Sequence, residues 1–405
     1  MSRSLRILHV TPYYENAWAY GGIPRLAAGL VRGLAARGHQ VSVCTTDACA
    51  RNRRLARPPD ATAAGRGWRL TPAPGIDVLV FPNVSNRLAY DRQFFVPLGL
   101  DGFLRQHITA FDLAHLHACR NLPGVWAARA CRRAGVPYVL APNGTAPPLE
   151  RHFALKRAFD AVAGRAVLDG AARVLAVSEA ERRQLLATGV ASSRIAVMPN
   201  PVDLAEFEAP RHRGAFRERA GLGRAPLVLF LGRLSPRKHV DVLVHAVARI
   251  DRSEAVLVVA GNDVGAEASV RRAVGEAGLA ARTVFTGLLE GPARLDAVAD
   301  ADVVVYAGAH EVFGLVACES LLSGTPVVVA DDSGCGEVIA RVGGGLCVPP
   351  GDAAALAAAL RSVLAKAGAW GERARAAGLA VRQAFGPGTV CRQLDEVYQD
   401  VARQR

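Results

Sequence analysis

Short apolar runs of strand length alternate with helical patterns along almost the whole chain of 405 residues. This alternation is typical of βαβ units, in which parallel strands form one sheet and helices cover both of its faces. The chain is too long for one ordinary hydrophobic core, so we expect two such sheets. The sequence therefore predicts an α/β protein with two doubly wound, Rossmann-like lobes.

The apolar runs fall into two groups on either side of a proline-rich joint, MPNPVDLAEFEAP. We predict one lobe over residues 1–200, a second over 201–385, and a terminal helix within 386–405 that packs back toward the first lobe. Predicted strands of the first lobe are Arg6–Val10, Gln40–Thr45, Asp77–Phe81, Leu113–His117, Tyr138–Ala141, Val174–Val177 and Ile195–Met198. Those of the second are Leu227–Leu231, Ala255–Val259, Thr283–Thr286, Asp302–Tyr306, Thr325–Ala330 and Leu346–Val348.

Residues 301–339 contain the strongest candidate site. Glu311 and Glu319 lie eight positions apart, one just before a predicted helix and one inside it. The N-terminus of that helix offers unpaired backbone N–H groups and a positive dipole end to a diphosphate. The two carboxylates are suited to accept hydrogen bonds from the hydroxyls of a sugar and a ribose. The alternative is a surface βαβ unit with two solvated glutamates.

A second candidate site follows the first strand of the second lobe, where GRLSPRK presents Arg233 and Lys238. Doubly wound sheets bind ligands at the carboxyl ends of their strands. Arginine clasps phosphate oxygens bidentately, and lysine supplies a compact charge. Lysine occurs three times and arginine 46 times, so a lysine in a motif carries more information than an arginine here. The alternative is that these are loop charges that face water.

The first lobe lacks the usual glycine motif of dinucleotide-binding proteins. No G-x-G-x-x-G follows the first strand, and there is no P-loop lysine motif. A long loop ends instead in Gly21 and Gly22, just before a predicted helix over Pro24–Ala36. Adjacent glycines let the backbone approach a ligand closely and direct N–H groups at an anion. A flexible helix entry is the simpler alternative.

The net charge of +13 favours anionic partners, although a solvated basic surface explains most of the arginines. No zinc-finger, RRM or KH pattern is present, which argues against nucleic acid. No apolar run has the length of a membrane span, and the N-terminus does not resemble a signal peptide. The eight scattered cysteines contain no C-x-x-C pair, so we expect no structural zinc and a cytoplasmic location.

Taken together, these motifs resemble the family-4 retaining glycosyltransferases of the GT-B fold over nearly the whole chain. The resemblance depends on the order and spacing of Gly21–Gly22, AHLH at 114–117, VSEAE at 177–181, PNPVD at 199–203, GRLSPRK at 232–238, VVAGND at 258–263 and the E-x7-E pair Glu311 and Glu319. The chain departs from the family pattern at SGCGE, where Ser333 replaces a glycine. It departs again at Asn143–Gly144, where the family often has Arg-Gly or His-Gly.

The resemblance implies a GT-B protein whose two lobes face a central cleft, with an acceptor-side first lobe and a nucleotide-sugar-binding second lobe. Arg233 and Lys238 would neutralise the donor diphosphate and the departing nucleotide. Glu311 would hold sugar hydroxyls near C3 and C4, and Glu319 the ribose hydroxyls. His117 would contact the transferred sugar. Further implied donor contacts are Gly21, Gly22, Gly261, Phe313, Gly314 and Leu315. On the acceptor side, the implied residues are Asn143 and His117, whereas His115 is expected to be packed and structural.

The implied reaction moves a sugar with retention from a UDP- or GDP-sugar to a hydroxyl of a glycan, a lipid-linked or a small-molecule acceptor. The nucleotide sugar is a co-substrate, and no cofactor or metal is expected, in keeping with the absence of an Asp-x-Asp pair at the end of a predicted strand. A role in polysaccharide or cell-envelope synthesis follows from the same resemblance. The alternatives are a non-catalytic nucleotide-sugar-binding subunit and a GT-B epimerase. A phosphorylase is disfavoured because Lys366 is the one lysine late in the second lobe.

Two basic segments suggest peripheral contact with an anionic membrane at the inner face of the plasma membrane. Residues 50–70 contain six arginines, and residues 151–168 form a predicted amphipathic helix. The apolar side of that helix consists of Phe153, Leu155, Phe159 and Val162. A mobile basic loop is the alternative for the first segment, and packing against the sheet is the alternative for the second.

Overall fold

The computed structural model describes residues 3–147, 153–209, 213–250 and 254–403. The chain divides into two compact units. Unit 1 comprises Met1–Asp203 and Pro387–Arg405, and unit 2 comprises Leu204–Gly386. These divisions fall close to the predicted boundaries at 200/201 and 385/386. Pro210, at the end of the predicted joint, lies outside the described residues.

Within the described residues, unit 1 contains a nine-stranded sheet in the order β11-β10-β9-β8-β1-β2-β7-β6-β5 and a separate β3-β4 ribbon. Its strands are β1 Arg6–Val10, β2 Gln40–Thr46, β3 Ala48–Ala50, β4 Arg53–Arg54, β5 Thr62–Ala64, β6 Gly67–Ala73, β7 Ile76–Phe81, β8 Leu113–His117, β9 Tyr138–Ala141, β10 Arg173–Ala176 and β11 Ile195–Val197. The seven strands from β11 to β7 pair in parallel, whereas β6 and β5 are antiparallel additions at one edge.

The helices of unit 1 that precede the joint follow the βαβ pattern. They are α1 Ile23–Ala35, α2 Asn86–Arg92, α3 Leu100–His107, α4 Leu122–Ala134, α5 Phe153–Phe159, α6 Arg165–Asp169 and α7 Glu179–Ala187. A π-helical turn, Asp160–Gly164, connects α5 to α6. Residues 151 and 152 of the predicted amphipathic helix, and the side chain of Leu155, lie outside the described part of the chain.

The basic segment at residues 50–70 was expected to be either a membrane contact or a mobile loop. The structure contradicts the mobile loop, because the segment contains strands. The segment contributes β4, β5 and the start of β6. Trp68 pairs with Val80 of β7 and packs against the core of unit 1. A Cβ atom on Gly67 would lie 1.9 Å from the carbonyl oxygen of Val80, so this strand requires glycine there. Cross-strand pairing therefore orders a segment whose sequence is polar.

Within its described residues, unit 2 is a six-stranded parallel sheet in the order β14-β13-β12-β15-β16-β17. The strands are β12 Leu227–Leu231, β13 Val256–Ala260, β14 Thr283–Gly287, β15 Val303–Tyr306, β16 Val327–Ala330 and β17 Gly345–Val348. The helices are α8 Ala215–Ala220, α9 Val240–Ala248, α10 Glu267–Glu276, α11 Gly291–Asp300, α12 Leu315–Leu322, α13 Gly334–Val342, α14 Ala353–Ala365 and α15 Ala367–Phe385. The strand order reverses between β12 and β15, which is the switch point where such sheets bind ligands.

The terminal helix, α16 Pro387–Arg403, belongs to unit 1. Its apolar side is buried in the unit 1 core with α1 and the neighbouring strands. The helix lies within the predicted range 386–405, and it can begin at Pro387 because proline is tolerated in a first helical turn. Gln404 lies outside the described residues.

Both units confirm the prediction of two doubly wound α/β lobes. The central strands are buried on both faces, as expected for parallel sheets covered by helices on each side. Among the described residues, no helix is long and apolar enough to cross a membrane.

Candidate active site

In unit 2, Lys238 is placed by the chain that leaves the carboxyl end of β12. Pro236–Lys238 form a short 3-10 turn, and His239 adopts a left-handed conformation with φ +50° before α9. The turn directs the lysine side chain inward, where it is 7% exposed. Its Nζ atom donates to Glu311 Oε1 at 2.7 Å and also contacts the hydroxyl of Tyr306.

Glu311 lies in the loop after β15, the strand next to β12, and is 7% exposed. Its Oε2 atom accepts a hydrogen bond of 3.1 Å from the hydroxyl of Tyr306, the last residue of β15. The Nζ atom of Lys238 also lies 4.2 Å from the centroid of the Tyr306 ring. The structure thus brings Lys238 and Glu311, which were predicted as site residues, together with Tyr306. The sequence did not indicate Tyr306, because it is the last residue of an apolar strand.

The electrostatics of this group favour an ion pair. Burial alone would raise the pKa of Glu311, but the charges of Lys238 and Arg237 and the hydrogen bonds to the carboxylate lower it. Burial lowers the pKa of Lys238, and Arg237 and Arg233 add to this effect, while Glu311 opposes it. The short Nζ–Oε1 contact is that of an ammonium with a carboxylate. Arg233 is half-buried, near enough to act on this pair.

The loop between Glu311 and α12 is closely packed within unit 2. Phe313 is buried, with its ring edge-on to Phe385 at a centroid distance of 5.6 Å. A Cβ atom on Gly314 would lie 3.0 Å from Cys335 Sγ, so the loop and α13 are in close contact. Gly314 is the N-cap of α12, which begins at Leu315. Glycine has no side chain to cap the first N–H groups of that helix.

Glu319, in the second turn of α12, is 2% exposed and faces the interior of unit 2. Its Oε2 atom pairs with Nη1 of Arg294, a buried residue of α11. The Nη2 atom of the same arginine pairs with Glu206. The sequence indicated neither Arg294 nor Glu206, since arginine is abundant in this chain and both residues are distant from Glu319 along it.

Gly261 has a steric role at the end of β13. A Cβ atom there would lie 1.8 Å from the carbonyl oxygen of Gly232, at the end of β12. The two strand ends can approach this closely only because residue 261 has no side chain. The predicted donor contact of Gly261 remains a prediction.

In unit 1, Gly21 and Gly22 form the entry to α1 as the sequence predicted. Gly21 has φ +91°, a conformation that favours glycine, and Gly22 is the N-cap of the helix. The helix therefore begins with glycine backbone, which suits the approach of an anion.

His117 lies at the carboxyl end of β8 in a group of three buried histidines. Its Nε2 atom is 3.0 Å from Nδ1 of His9 on β1, and its ring stacks on His115 at 4.2 Å. His115 Nδ1 contacts the hydroxyl of Tyr398, so it is packed, as expected. Burial lowers the pKa of His117 to about 3, so the imidazole is neutral at physiological pH. Among the described residues, one ring nitrogen from each of these three histidines lies within 4.8 Å of the other two, a grouping that could hold a metal ion.

Asn143 and Gly144 form the turn after β9. Asn143 has φ +51°, and its Nδ2 atom donates to the carbonyl of Ala141 at 3.2 Å. The carboxylate of Glu181 accepts from the N–H groups of Gly144 at 2.5 Å and Val177 at 2.8 Å. Burial raises the pKa of Glu181 to about 7, while the two backbone hydrogen bonds oppose this rise.

Known proteins resemble the chain over both units. The model of "Glycosyltransferase Family 4" matches residues 20–206, and that of "Glycosyl transferases group 1" matches residues 213–379. A 2-deoxystreptamine glucosyltransferase of Streptomyces kanamyceticus is 32% identical over 268 residues, which are 62% of this chain and 68% of that enzyme. The chain belongs to glycosyltransferase family 4.

Two further relatives of this family-4 glycosyltransferase are a mannosyltransferase and an inositol phosphate glycosyltransferase. A GDP-mannose-dependent alpha-mannosyltransferase of Mycobacterium tuberculosis is 32% identical over 64% of this chain and 66% of that protein, just short of two thirds of its length. A D-inositol 3-phosphate glycosyltransferase of Jonesia denitrificans is 29% identical over 81% of this chain and 79% of that protein.

Solved structures share the GT-B fold of this glycosyltransferase. Sucrose-phosphate synthase from Thermosynechococcus elongatus has a TM-score of 0.73 and 22% identity over 100% of both chains. HepE of Anabaena, solved in complex with UDP and glucose, has a TM-score of 0.74 and 21% identity over 98% of this chain and 100% of that one.

The glycosyltransferase departs from the family pattern at SGCGE, where Ser333 replaces a glycine, and this difference has a local structural reason. Ser333 is the N-cap of α13, where its Oγ atom accepts from the N–H of Gly336 at 3.3 Å and donates to the carbonyl of Ala330 at 2.7 Å. Serine is a favoured N-cap residue, so this position gains a hydrogen bond that glycine would lack.

Proposed function

We propose that this glycosyltransferase moves a hexose from a UDP- or GDP-sugar to an acceptor hydroxyl, with retention of the anomeric configuration. The observation that carries the proposal is the Lys238–Glu311–Tyr306 group at the switch point of unit 2. A mannosyltransferase relative is GDP-mannose-dependent, and HepE was solved with UDP and glucose, which supports a nucleotide-sugar donor for this chain.

In this proposal the donor diphosphate binds at the cationic end of the group. Lys238, with Arg233 in the same loop, offers positive charge to the diphosphate as the bond to the sugar breaks. The ion pair with Glu311 orients the Lys238 ammonium and limits its motion before the donor binds. The fixed orientation matters because a preorganised charge costs no reorganisation during the reaction.

The carboxylates and the helix terminus hold the rest of the donor. The Glu311 carboxylate accepts hydrogen bonds from sugar hydroxyls, and that of Glu319 accepts them from the ribose. The first N–H groups of α12, from Leu315 onward, and the backbone of Phe313 and Gly314 meet the sugar and phosphate.

The acceptor hydroxyl attacks the anomeric carbon on the face from which the nucleotide departs. A bond forms between the acceptor oxygen and the anomeric carbon, the bond to the phosphate oxygen breaks, and that phosphate oxygen takes the hydroxyl proton. Glu311 is occupied by an ion pair and therefore acts as a binding group rather than as a nucleophile. In unit 1, neutral His117 and the amide of Asn143 are groups that can form hydrogen bonds with hydroxyls. The scheme uses no metal and no cofactor besides the donor.

A peripheral membrane contact is part of the proposal for a lipid-linked acceptor. Phe153 and Val162, on the predicted basic amphipathic helix, are 53% and 80% exposed. Exposed apolar side chains beside arginines suit the surface of an anionic bilayer. Flotation with anionic and neutral vesicles tests it, and equal flotation with both kinds of vesicle would remove it.

The experiment for the proposed function combines a donor panel with two substitutions. Product analysis by proton NMR identifies the donor and the anomeric configuration of the product. We expect Lys238→Met and Glu311→Gln to lower kcat by about 10²–10³, as removal of one transition-state contact does, while circular dichroism stays unchanged. Lys366→Met and Glu372→Gln, at exposed positions of the same unit, are the matched controls.

Near wild-type turnover of Lys238→Met or Glu311→Gln with the true donor would show that the site is wrongly assigned. An inverted product would refute the retaining mechanism. Conversion of the sugar nucleotide without transfer would favour an epimerase, and binding without any conversion would favour a non-catalytic subunit.

A further inference from the structure

Arg294 forms a buried ion pair with Glu319, the residue whose carboxylate we assign to the ribose. It extends from α11, is 4% exposed, and its Nη1 atom pairs with Oε2 of Glu319. The Glu319 side chain is 3% exposed. An ionised carboxylate buried this deeply is costly without a partner charge, and Arg294 provides that charge.

The guanidinium of Arg294 is held from two directions. Its Nη2 atom pairs with Oε2 of Glu206, whose side chain is 26% exposed. Glu206 lies in the short 3-10 turn Ala205–Phe207, directly after the division between units 1 and 2. Because the guanidinium is planar and its donors have a fixed geometry, two carboxylates on different nitrogens fix its orientation.

We propose that Arg294 is a positioning residue for nucleotide binding: it holds the Glu319 carboxylate in the orientation that accepts the ribose hydroxyls, and Glu206 in turn fixes Arg294. The inference rests on the proposed role of Glu319. It assigns supporting roles to two residues that do not touch the ligand: Arg294 on α11, and Glu206 at the start of unit 2.

Loss of a purely structural ion pair and loss of a positioning residue have different effects on the binding of the ribose. Loss of a structural ion pair weakens all ligands alike, or destabilises unit 2 without altering ligand preference. Loss of a positioning residue weakens the hydrogen bonds from the ribose hydroxyls and leaves the phosphate contacts intact. The decisive quantity is the affinity ratio between a nucleoside diphosphate and its 2′,3′-dideoxy analogue.

The experiment measures both affinities by calorimetry on the full chain, with UDP or GDP according to the donor panel. A hydrogen bond to a charged group is worth enough that we expect wild type to prefer the ribonucleotide by about 10–100-fold. In Arg294→Met we expect most of this preference to be lost while the dideoxy affinity stays within about twofold. Donor KM should rise more than kcat falls.

Three further variants complete the experiment. Arg294→Lys keeps the charge without the planar fork and should restore the preference only in part. Glu206→Gln, which leaves Arg294 and Glu319 in place, should give a smaller loss than Arg294→Met. Arg219→Met is the matched control, because Arg219 pairs at 2.9 Å with Asp296 on the same helix as Arg294. It should keep the wild-type ratio.

An unchanged ratio in Arg294→Met, or equal weakening of both nucleotides, would overturn the inference. If Arg294→Met does not fold, Arg294→Lys and Glu206→Gln decide, and wild-type ratios in both would overturn it. Glu319→Gln separates the two proposals. A wild-type ratio in Glu319→Gln refutes the ribose assignment and the inference with it, whereas a lost ratio there and a retained one in Arg294→Met refutes the inference alone.

Discussion

Tyr306 shows how a single hydroxyl organises the candidate site. Its oxygen contacts Lys238 Nζ and donates to Glu311 Oε2, while its ring lies under the ammonium. Burial raises the pKa of the Tyr306 phenol well above its ordinary value, and the nearby carboxylate of Glu311 adds to the rise. The phenol therefore stays protonated and acts as a donor to Glu311.

The change Tyr306→Phe keeps the ring and the Lys238–Glu311 ion pair but removes the hydroxyl. A hydrogen bond to a charged group contributes about 1.5–3 kcal/mol, so we expect kcat/KM for the donor to fall by about tenfold or more. Steady-state kinetics measure this loss. Tyr138→Phe is the control, since the Tyr138 hydroxyl donates to the Val167 carbonyl in unit 1. Equal kinetics in the two variants would show that the Tyr306 hydroxyl has no part in the site.

Glu181 connects two elements of unit 1, the start of α7 and the turn after β9. Ser178 and Glu181 have the spacing of a capping box, and half of it forms: Ser178 Oγ accepts from the Glu181 N–H at 3.1 Å. The Glu181 carboxylate accepts instead from Gly144 and Val177, so it orders the turn that contains Asn143. The glutamate of a local helix-capping motif therefore binds the backbone of a turn that is distant along the chain.

The raised pKa of Glu181 predicts a pH dependence of stability. Folded Glu181 has a pKa of about 7, above its ordinary value of 4.5, so between these values the folded protein binds a proton that the unfolded chain releases. This contribution is complete below about pH 4.5 and is lost as the pH rises through 7. As the pH rises and the contribution is lost, we expect the free energy of unfolding to fall by ~3 kcal/mol.

Urea unfolding of wild type and Glu181→Gln across pH 4–8 measures this contribution. The variant should lack this part of the fall in stability, because glutamine does not titrate. Glu179→Gln, at an exposed position of the same helix, is the control and should follow wild type. A parallel pH profile for Glu181→Gln and wild type would contradict the assignment.

The whole molecule consists of two units, and one of them is discontinuous in sequence. The chain leaves unit 1 at Asp203, forms unit 2, and returns at Pro387 to complete the first core with α16. That helix buries Val390, Cys391, Leu394, Tyr398 and Val401. A Cβ atom on Gly33 of α1 would lie 2.4 Å from Cys391 Sγ, so the two helices approach closely.

Truncation after Gly386 should therefore unfold unit 1 and spare unit 2. Each large apolar side chain removed from a core costs about 2–5 kcal/mol, so the loss of five buried side chains is comparable to the whole stability of a typical domain, about 5–15 kcal/mol. Hydrogen-exchange mass spectrometry should show lost protection in β1 and β8 and retained protection in β12 and β15. Leu379→Ala, at an exposed position on α15, is the control. Equal loss of protection in both units would contradict this division.

Prediction from sequence succeeded where burial follows local composition. The strands β1, β8, β9 and β12 were predicted with their observed bounds, since each is a short apolar run between turn signals. The strands β3 to β6 were missed, because their residues are polar or small and their pairing with neighbouring strands decides their conformation. The family resemblance was likewise available from ordered motifs and is confirmed.

The sequence by itself determined the fold class, the membership of family 4 and the candidates Lys238, Glu311 and Glu319. Only the tertiary structure decided their partners. Lys238 and Glu311 are 73 positions apart and meet because β12 and β15 are neighbours at the switch point. The contacts of Tyr306, His9 and Arg294 likewise join residues from different parts of the chain that the fold makes neighbours. Periodicity reports which face of an element is buried, but ion pairs depend on which elements are neighbours, and that is decided by the packing of the whole unit.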